Sequence, residues 1–257
     1  MILLLTAALL VGPGSPVEFP NAHPGGVRSA ILIPGTLAKP EGNGPFPAMV
    51  LLHGCSGLLA SHTQWAASLG AEGYVTLLVD SHSPRRMTTS CVGAGASGDR
   101  VWDALGALRY LRSLPFVAGD RIGVMGWSEG GSVALRASSD PLAAYAIKAP
   151  GFRATVALYP GCGNNLSSDT TAPVLLLLGE KDDWTSPIPC VQIAKELQHA
   201  SRPVEYVVYP RATHAFDEAS LRGVVTYLGH QLKYDPAATS DARKRIKVFL
   251  ERHLKQR

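Results

Sequence analysis

Short apolar runs alternate along this chain with longer stretches in which hydrophobic residues return every three or four positions. The runs read as strands: VRSAILI (27–33), AMVLLH (48–53), YVTLLVD (74–80), RIGVMG (121–126), ATVALY (154–159), VLLLLG (174–179) and VEYVVY (204–209). Most are apolar throughout, the pattern expected of strands covered on both faces. Between them, residues 99–113 place Val101, Ala104, Leu105, Leu108 and Leu111 on one helical face, with Arg100, Asp103, Arg109 and Arg112 on the other. Residues 190–200 and 240–255 also read as helices, the second burying Ile246, Phe249, Leu250 and Leu254 behind a cap at Ser240. This alternation predicts an α/β fold with a mostly parallel central sheet and helices on both faces.

No repeat, linker or low-complexity tract divides the 257 residues, so one domain over 17–257 without a large separate cap is expected. The opening MILLLTAALLV is too short to span a bilayer and runs into the breaker string GPGSP. It resembles the apolar part of a secretory signal, although it lacks a positive start and an A-x-A site. Residues 1–16 therefore read as a signal-like or loosely ordered segment, and a periplasmic or secreted location is expected, with the cytoplasm as the alternative. The formal charge of +4 collects at the end of the chain, where residues 241–257 carry seven Lys or Arg against two acids. A basic last helix suits its own dipole, and the near-neutral remainder argues against a nucleic-acid partner.

Four cysteines are present. Cys162 and Cys190 flank the strand 174–179 and read as a possible disulfide from loops that could meet at one edge of the sheet, whereas Cys55 and Cys91 read as either bridged or free. No CxxC pair or Cys/His spacing of the metal-binding type occurs, so no metal centre is expected. The loop SHSPRRMTTSCVGAGASGD (81–99) lacks either period. Its length and its place after a strand's carboxyl end make it a candidate wall of a binding site.

The chemistry concentrates in GWSEGG, residues 126–131. A serine hydroxyl is a weak nucleophile and must stand clear of the sheet with a base beside it and amide donors in reach. The tight strand-turn-helix that lifts it leaves no room two residues either side, hence Gly126 and Gly130 around Ser128, with Gly131 easing the helix onto the sheet. The partners of such a serine follow in the order acid, then histidine. Asp182 stands just beyond the strand 174–179 and is favoured over its neighbour Asp183, and His214 follows the next strand in RATHAF. Imidazole is the natural base because it exchanges a proton near neutral pH. The backbone N–H groups of Cys55, in LLHGCSGL, and of Glu129 are the expected oxyanion donors. His53 in that HG turn reads as a loop-holding residue. His23, His62, His199, His230 and His253 read as surface or helix-face residues.

These residues, together with HGCSGL, DSHSPRR, DRVWDALGALRYL, LLLLGEKDDW, YPRATHAFD and the late GHQLKYDPAATSDARKRIKVFL, resemble the dienelactone hydrolase family of the α/β-hydrolase fold over nearly the whole chain from about residue 27. The resemblance implies hydrolysis of small esters or lactones without a cofactor. It departs in one respect: the enzymes that name the family use cysteine where this chain has Ser128. In the founding pattern an arginine binds the substrate carboxylate, and Arg85 and Arg86 are the candidates here. Trp127 and Trp184, with Trp65, are candidate walls of an acyl pocket. The same triad also serves an acyl-peptidase or a thioesterase, and a hydrolase fold without chemistry is the alternative from another class.

Overall fold

The structure, a computed structural model, describes residues 14–23, 30–92, 97–139, 149–163, 170 and 172–256. Its main sheet runs β1-β2-β4-β3-β5-β6-β7-β8, with β1 (Ser15–Pro20), β2 (Leu32–Ala38), β3 (Phe46–Leu52), β4 (Val75–Val79), β5 (Val117–Trp127), β6 (Ala154–Leu158), β7 (Val174–Gly179) and β8 (Val204–Tyr209). From β4 to β8 every pairing is parallel, and β1 and β2 add an antiparallel flank. Successive side chains of a strand point to opposite faces, and β3 shows the result. Ala48, Val50 and Leu52 enter one apolar cluster, with α2 (Ser97–Ser113) and α3 (Glu129–Ser139), while Met49 and Leu51 enter another, with α1 (Ala60–Ala71) and α5 (Pro236–Leu250). Leu176 and Leu178 of β7 join Leu135 of α3 and Cys190, Ala194 and Leu197 of α4 (Pro187–His199) in a third cluster. Uniformly apolar strands are thus explained by burial on both sides.

Several expectations are corrected. The strand over 27–33 begins instead at Leu32, residues 27–29 lying outside the described part. It continues through two residues that look like breakers: Pro34 still offers its carbonyl to Asp80 N–H (2.9 Å), and Gly35 lies where a Cβ would press on Leu78 O at 3.0 Å. The segment 1–16 falls largely outside the described residues, but Ser15 and Pro16 belong to β1. The last helix starts at Pro236, not Ser240. Asp235 is its cap, accepting from Ala237 N and Ala238 N at 3.0 Å, with proline at the first position where no N–H is needed. Helix α4 starts at Pro187, so Cys190 lies in its first turn rather than in a loop.

Sequence reasoning missed α1, β1 and a hairpin of β9 (Val224–Tyr227) and β10 (His230–Lys233). In α1 the buried positions include Ser61, His62 and Gly70, which blur its apolar stripe. Both cysteine pairs are bridged, Cys55 to Cys91 and Cys162 to Cys190. Among the described residues no helix is long and apolar enough to cross a membrane, and no cluster of His, Cys, Asp and Glu suits a metal.

Candidate active site

At the carboxyl end of β5 the chain reverses through Ser128, whose φ of 53° lies in the left-handed region. Two bonds hold this strained turn: Ser128 N–H donates to Leu158 O (3.0 Å) and Ser132 N–H to Ser128 O (3.0 Å). A Cβ on Gly126 would overlap the Gly130 carbonyl, and one on Gly130 would overlap the carbonyls of Leu52 and His53. The two glycines therefore let helix α3 start directly over the strand ends with the serine hydroxyl raised above them.

Two loops bring partners to that hydroxyl. His214, after β8, places Nε2 2.8 Å from Ser128 Oγ, and its Nδ1 lies 2.8 Å from Asp182 Oδ2. Both side chains are buried. The pattern fits the neutral tautomer in which Nδ1–H donates to the carboxylate and Nε2 accepts from the serine. Asp182 is itself fixed: Oδ1 accepts from Trp184 N–H (3.0 Å) and Thr185 N–H (2.8 Å), and Thr185 Oγ1 lies 2.9 Å from Oδ2. Asp183 turns away, accepting from Gln231 N–H of β10 at 3.2 Å. A Cβ on Gly179 would press on Ala212 O and Thr213 O, so the end of β7 and the histidine loop pack backbone to backbone. Glu180 accepts from Arg211 N–H on the outside of the same corner.

Cys55 and Glu129 flank the serine. Gly54 packs on Ser128, its would-be Cβ 3.5 Å from the serine Cβ, and Glu129 opens α3, where amides lack intrahelical partners. Both positions are braced by buried polar groups. Ser90 N–H (2.8 Å) and Thr89 Oγ1 (3.2 Å) donate to Cys55 O, and the disulfide to Cys91 ties the same turn to the 81–92 segment. Glu129 accepts from Ser90 Oγ and from Arg100 Nη1 (2.8 Å). Arg100 is 1% exposed and also donates to His53 O. Burial lowers the Arg100 guanidinium from its ordinary value, with Glu129 and Asp103 opposing. The polar face of α2 is thus buried at its amino end, where the helical pattern alone suggested only a second face. His53 holds the loop: Nδ1–H donates to Gly54 O (2.7 Å) and Nε2 accepts from Ser81 N–H (3.2 Å). Its burial, aided by Arg100, pushes it down to about 2.

On the other side of the serine stands an aromatic wall whose tryptophans the sequence suggested but whose organising carboxylate it did not. The buried carboxylate of Asp217 accepts from Trp65 Nε1 (2.8 Å), Trp127 Nε1 (3.0 Å) and Tyr159 OH (2.6 Å). Burial raises its carboxyl, opposed by those three bonds. Tyr159 presents its ring to His214 at 4.7 Å between centroids. The motif HAFD carried Asp217, but nothing in the string tells that it faces two indoles.

The dienelactone hydrolase family model matches residues 33–254. The chain belongs to the dienelactone hydrolase family. A curated relative from a Bradyrhizobium species, named "Probable 2-oxo-3-(5-oxofuran-2-ylidene)propanoate lactonase", is 27% identical over 229 residues, covering 85% of this chain and 88% of that protein. Among solved structures, a dienelactone hydrolase-like promiscuous phosphotriesterase from metagenomic libraries superposes with a TM-score of 0.73 at 17% identity, covering 94% of this chain and 99% of that one. Esterase 2 of Thermogutta terrifontis, phosphorylated by paraoxon, gives 0.69 at 17% identity, covering 93% and 96%.

Within this family member two cavities meet at Ser128. One, of about 250 Å³, is lined by Cys91, Glu129, Arg136 and Gly161 among others; the second, of about 270 Å³, lies against Trp127, Trp184 and His214. Trp184 borders both, whereas Trp65 borders neither and packs behind Trp127. The 81–92 segment does form a wall, through Ser90 and Cys91. Arg85 and Arg86 lie off both cavities. Arg85 is held bidentate by Asp103 (2.8 and 2.9 Å) and donates to Ser81 O, so it staples its own loop to α2. Arg86 closes the short 3₁₀ turn Ser83–Arg85. A substrate-binding role for either arginine has no support in this arrangement. His62, read as a surface or helix-face residue, lies on α1 and is buried against Trp127 at 4.6 Å between rings.

Proposed function

We propose that this chain is a serine hydrolase that cleaves small carboxylic esters or lactones through an acyl-enzyme. Ser128 Oγ attacks the carbonyl carbon as its proton passes to His214 Nε2, and the imidazolium formed is stabilised by Asp182. The carbonyl oxygen gains the electron pair and is held by the amides of Cys55 and Glu129, each worth about 3 kcal/mol in comparable enzymes. When the tetrahedral adduct collapses, the C–O bond to the leaving alcohol breaks and His214 returns the proton to it. Water then attacks the acyl-serine, giving a proton to the same imidazole, and as this second adduct collapses the acyl bond to Ser128 Oγ breaks and His214 returns the proton to Oγ, releasing the acid. The triad and water account for every proton in this sequence.

The observation that carries the reading is the continuous chain of two 2.8 Å contacts, Ser128 to His214 to Asp182, starting from a serine in a strained turn. The lactonase relative and the organophosphate-modified esterase support the same class of carbonyl chemistry. A fluorophosphonate probe tests it: the wild-type chain is expected to be labelled at Ser128 and Ser128→Ala to remain unlabelled. An unlabelled, folded wild-type protein overturns the reading. With all four cysteines bridged, an oxidising compartment, periplasmic or extracellular, is the location we infer.

A further inference from the structure

The hairpin β9–β10 stands apart from the main sheet, and an isolated two-stranded ribbon is marginal in water. Here it is fastened to both loops that carry the acid and the histidine. Leu232 forms a parallel bridge with His214, and Thr213 Oγ1 donates to Lys233 O at 3.4 Å. From the acid loop, Asp183 accepts Gln231 N–H, lies 3.5 Å from His230 Nδ1, and its neighbour Trp184 stacks on the His230 ring at 4.8 Å with 11° between planes. Asp182 thus orients the histidine while Asp183, one residue on, holds the hairpin.

What the hairpin covers is the 270 Å³ cavity beside Ser128, to which it contributes Val225, Tyr227 and Leu232 opposite Trp127, Tyr159 and Trp184. Among the described residues no lysine or arginine lines this space, and its carboxylate is Glu218. Burial alone would raise the Glu218 carboxyl, but hydrogen bonds from Ser220 and Ser61 outweigh it and hold the group ionised below its ordinary value. An anionic substituent would meet a like charge there with nothing to pair it. An apolar ring fits: a dry cavity of about 150 Å³ suffices for benzene.

We propose that the β9–β10 hairpin is the specificity-determining cover of the site, held by Asp183 and Trp184, and that it selects esters or lactones bearing a neutral aryl or branched alkyl group, which it encloses beside Ser128. This rests on the serine-hydrolase reading and names the substrate class for it.

The test compares methyl acetate, phenyl acetate, methyl phenylacetate and the anionic monomethyl succinate by pH-stat titration. For the wild-type chain, at least one of the two aryl esters is expected to exceed both other esters by more than about tenfold in kcat/KM, and which one does so identifies the side of the ester that is enclosed. Tyr227→Ala and Asp183→Ala, both at exposed positions and checked for folding by circular dichroism, are expected to cut the ratio of that ester to methyl acetate about tenfold, mainly through KM. Inhibition by 2-phenylethylboronic acid against methylboronic acid should show the same loss of discrimination. Equal ratios in wild type and variants, or a preference for monomethyl succinate, overturn the proposal. If neither boronic acid inhibits and Ser128 resists the fluorophosphonate, the hydrolase reading fails and the proposal falls with it.

Discussion

The two walls beside Ser128 are built on opposite principles. On the side of Cys55 and Glu129 the support is ionic and covalent: Arg100 with Glu129, Arg85 with Asp103, and a disulfide. On the side of Trp127 and Tyr159 one carboxylate, Asp217, gathers three neutral donors. On the proposed mechanism the first wall aims two backbone amides at a charge that exists only during reaction, and fixed charges in a dry site resist rearrangement. The second must present a shaped apolar surface, so its polar atoms are turned inward and satisfied there. On that proposal, rigidity where charge develops and shape where substrate rests are supplied by different chemistry.

The largest effect expected concerns neither wall but the relay between them. Asp182→Asn should lower ester turnover about 10⁴-fold by presenting the wrong tautomer to Ser128, in a protein that still folds. Steady-state kinetics would check this, and an equal loss in Asp183→Asn on unsubstituted esters would transfer the orienting role by one residue. Next, Glu129→Gln should cost about 3–5 kcal/mol in chemical denaturation, because it leaves the buried Arg100 guanidinium without its hydrogen-bonded anion.

Acid should strain both walls. Burial, opposed by Glu218 and assisted by Arg100, holds His62 down at about 4, and His53 lies lower still. Above pH 6.5 these imidazoles are neutral in the folded and the unfolded chain and add nothing to the pH dependence. Below it the unfolded chain takes up protons that the folded one refuses, so stability falls. For His62 the loss reaches about 3 kcal/mol by pH 4. Thermal unfolding between pH 7 and 4 should show this slope, and His62→Gln should flatten its share.

The smallest effect sharpens the contrast most. Asp217→Asn should cost only about 1 kcal/mol: the amide oxygen can serve both indoles while the amide N–H₂ donates to a Tyr159 hydroxyl that turns its own proton away. A loss as large as that of Glu129→Gln would mean that the aromatic wall, too, depends on charge.

What was legible in the sequence follows the same physics. Doubly buried strands announce themselves as apolar runs, so β3 to β7 could be read, and the half-buried edge strand β8 is still largely apolar, whereas β2 hides behind Pro34 and Gly35 and α1 buries polar groups such as Ser61 and His62. The meeting of Ser128, Asp182 and His214 was legible because chain order and strand ends constrain it. Arg85 and Arg86 were named from the family resemblance and their loop, and their direction, toward Asp103 and toward a turn, depends on packing that no local string encodes. Asp217 and Arg100 were missed for the same reason, since their importance lies in partners 58 to 152 positions and 29 to 47 positions away. The β9–β10 hairpin lacks the apolar alternation of a buried strand because every residue of β9 stays exposed, including Val225 and Tyr227 at the cavity.

Three of the four tryptophans crowd this one corner: Trp65 and Trp127 share the Asp217 carboxylate, and Trp184 lies against His214 and His230. Ultraviolet excitation of the untouched chain therefore illuminates the neighbourhood of Ser128 more than any other part of it. Emission wavelength and quenching give the molecule a built-in optical gauge, readable without dye or tag, of whatever enters beside the serine.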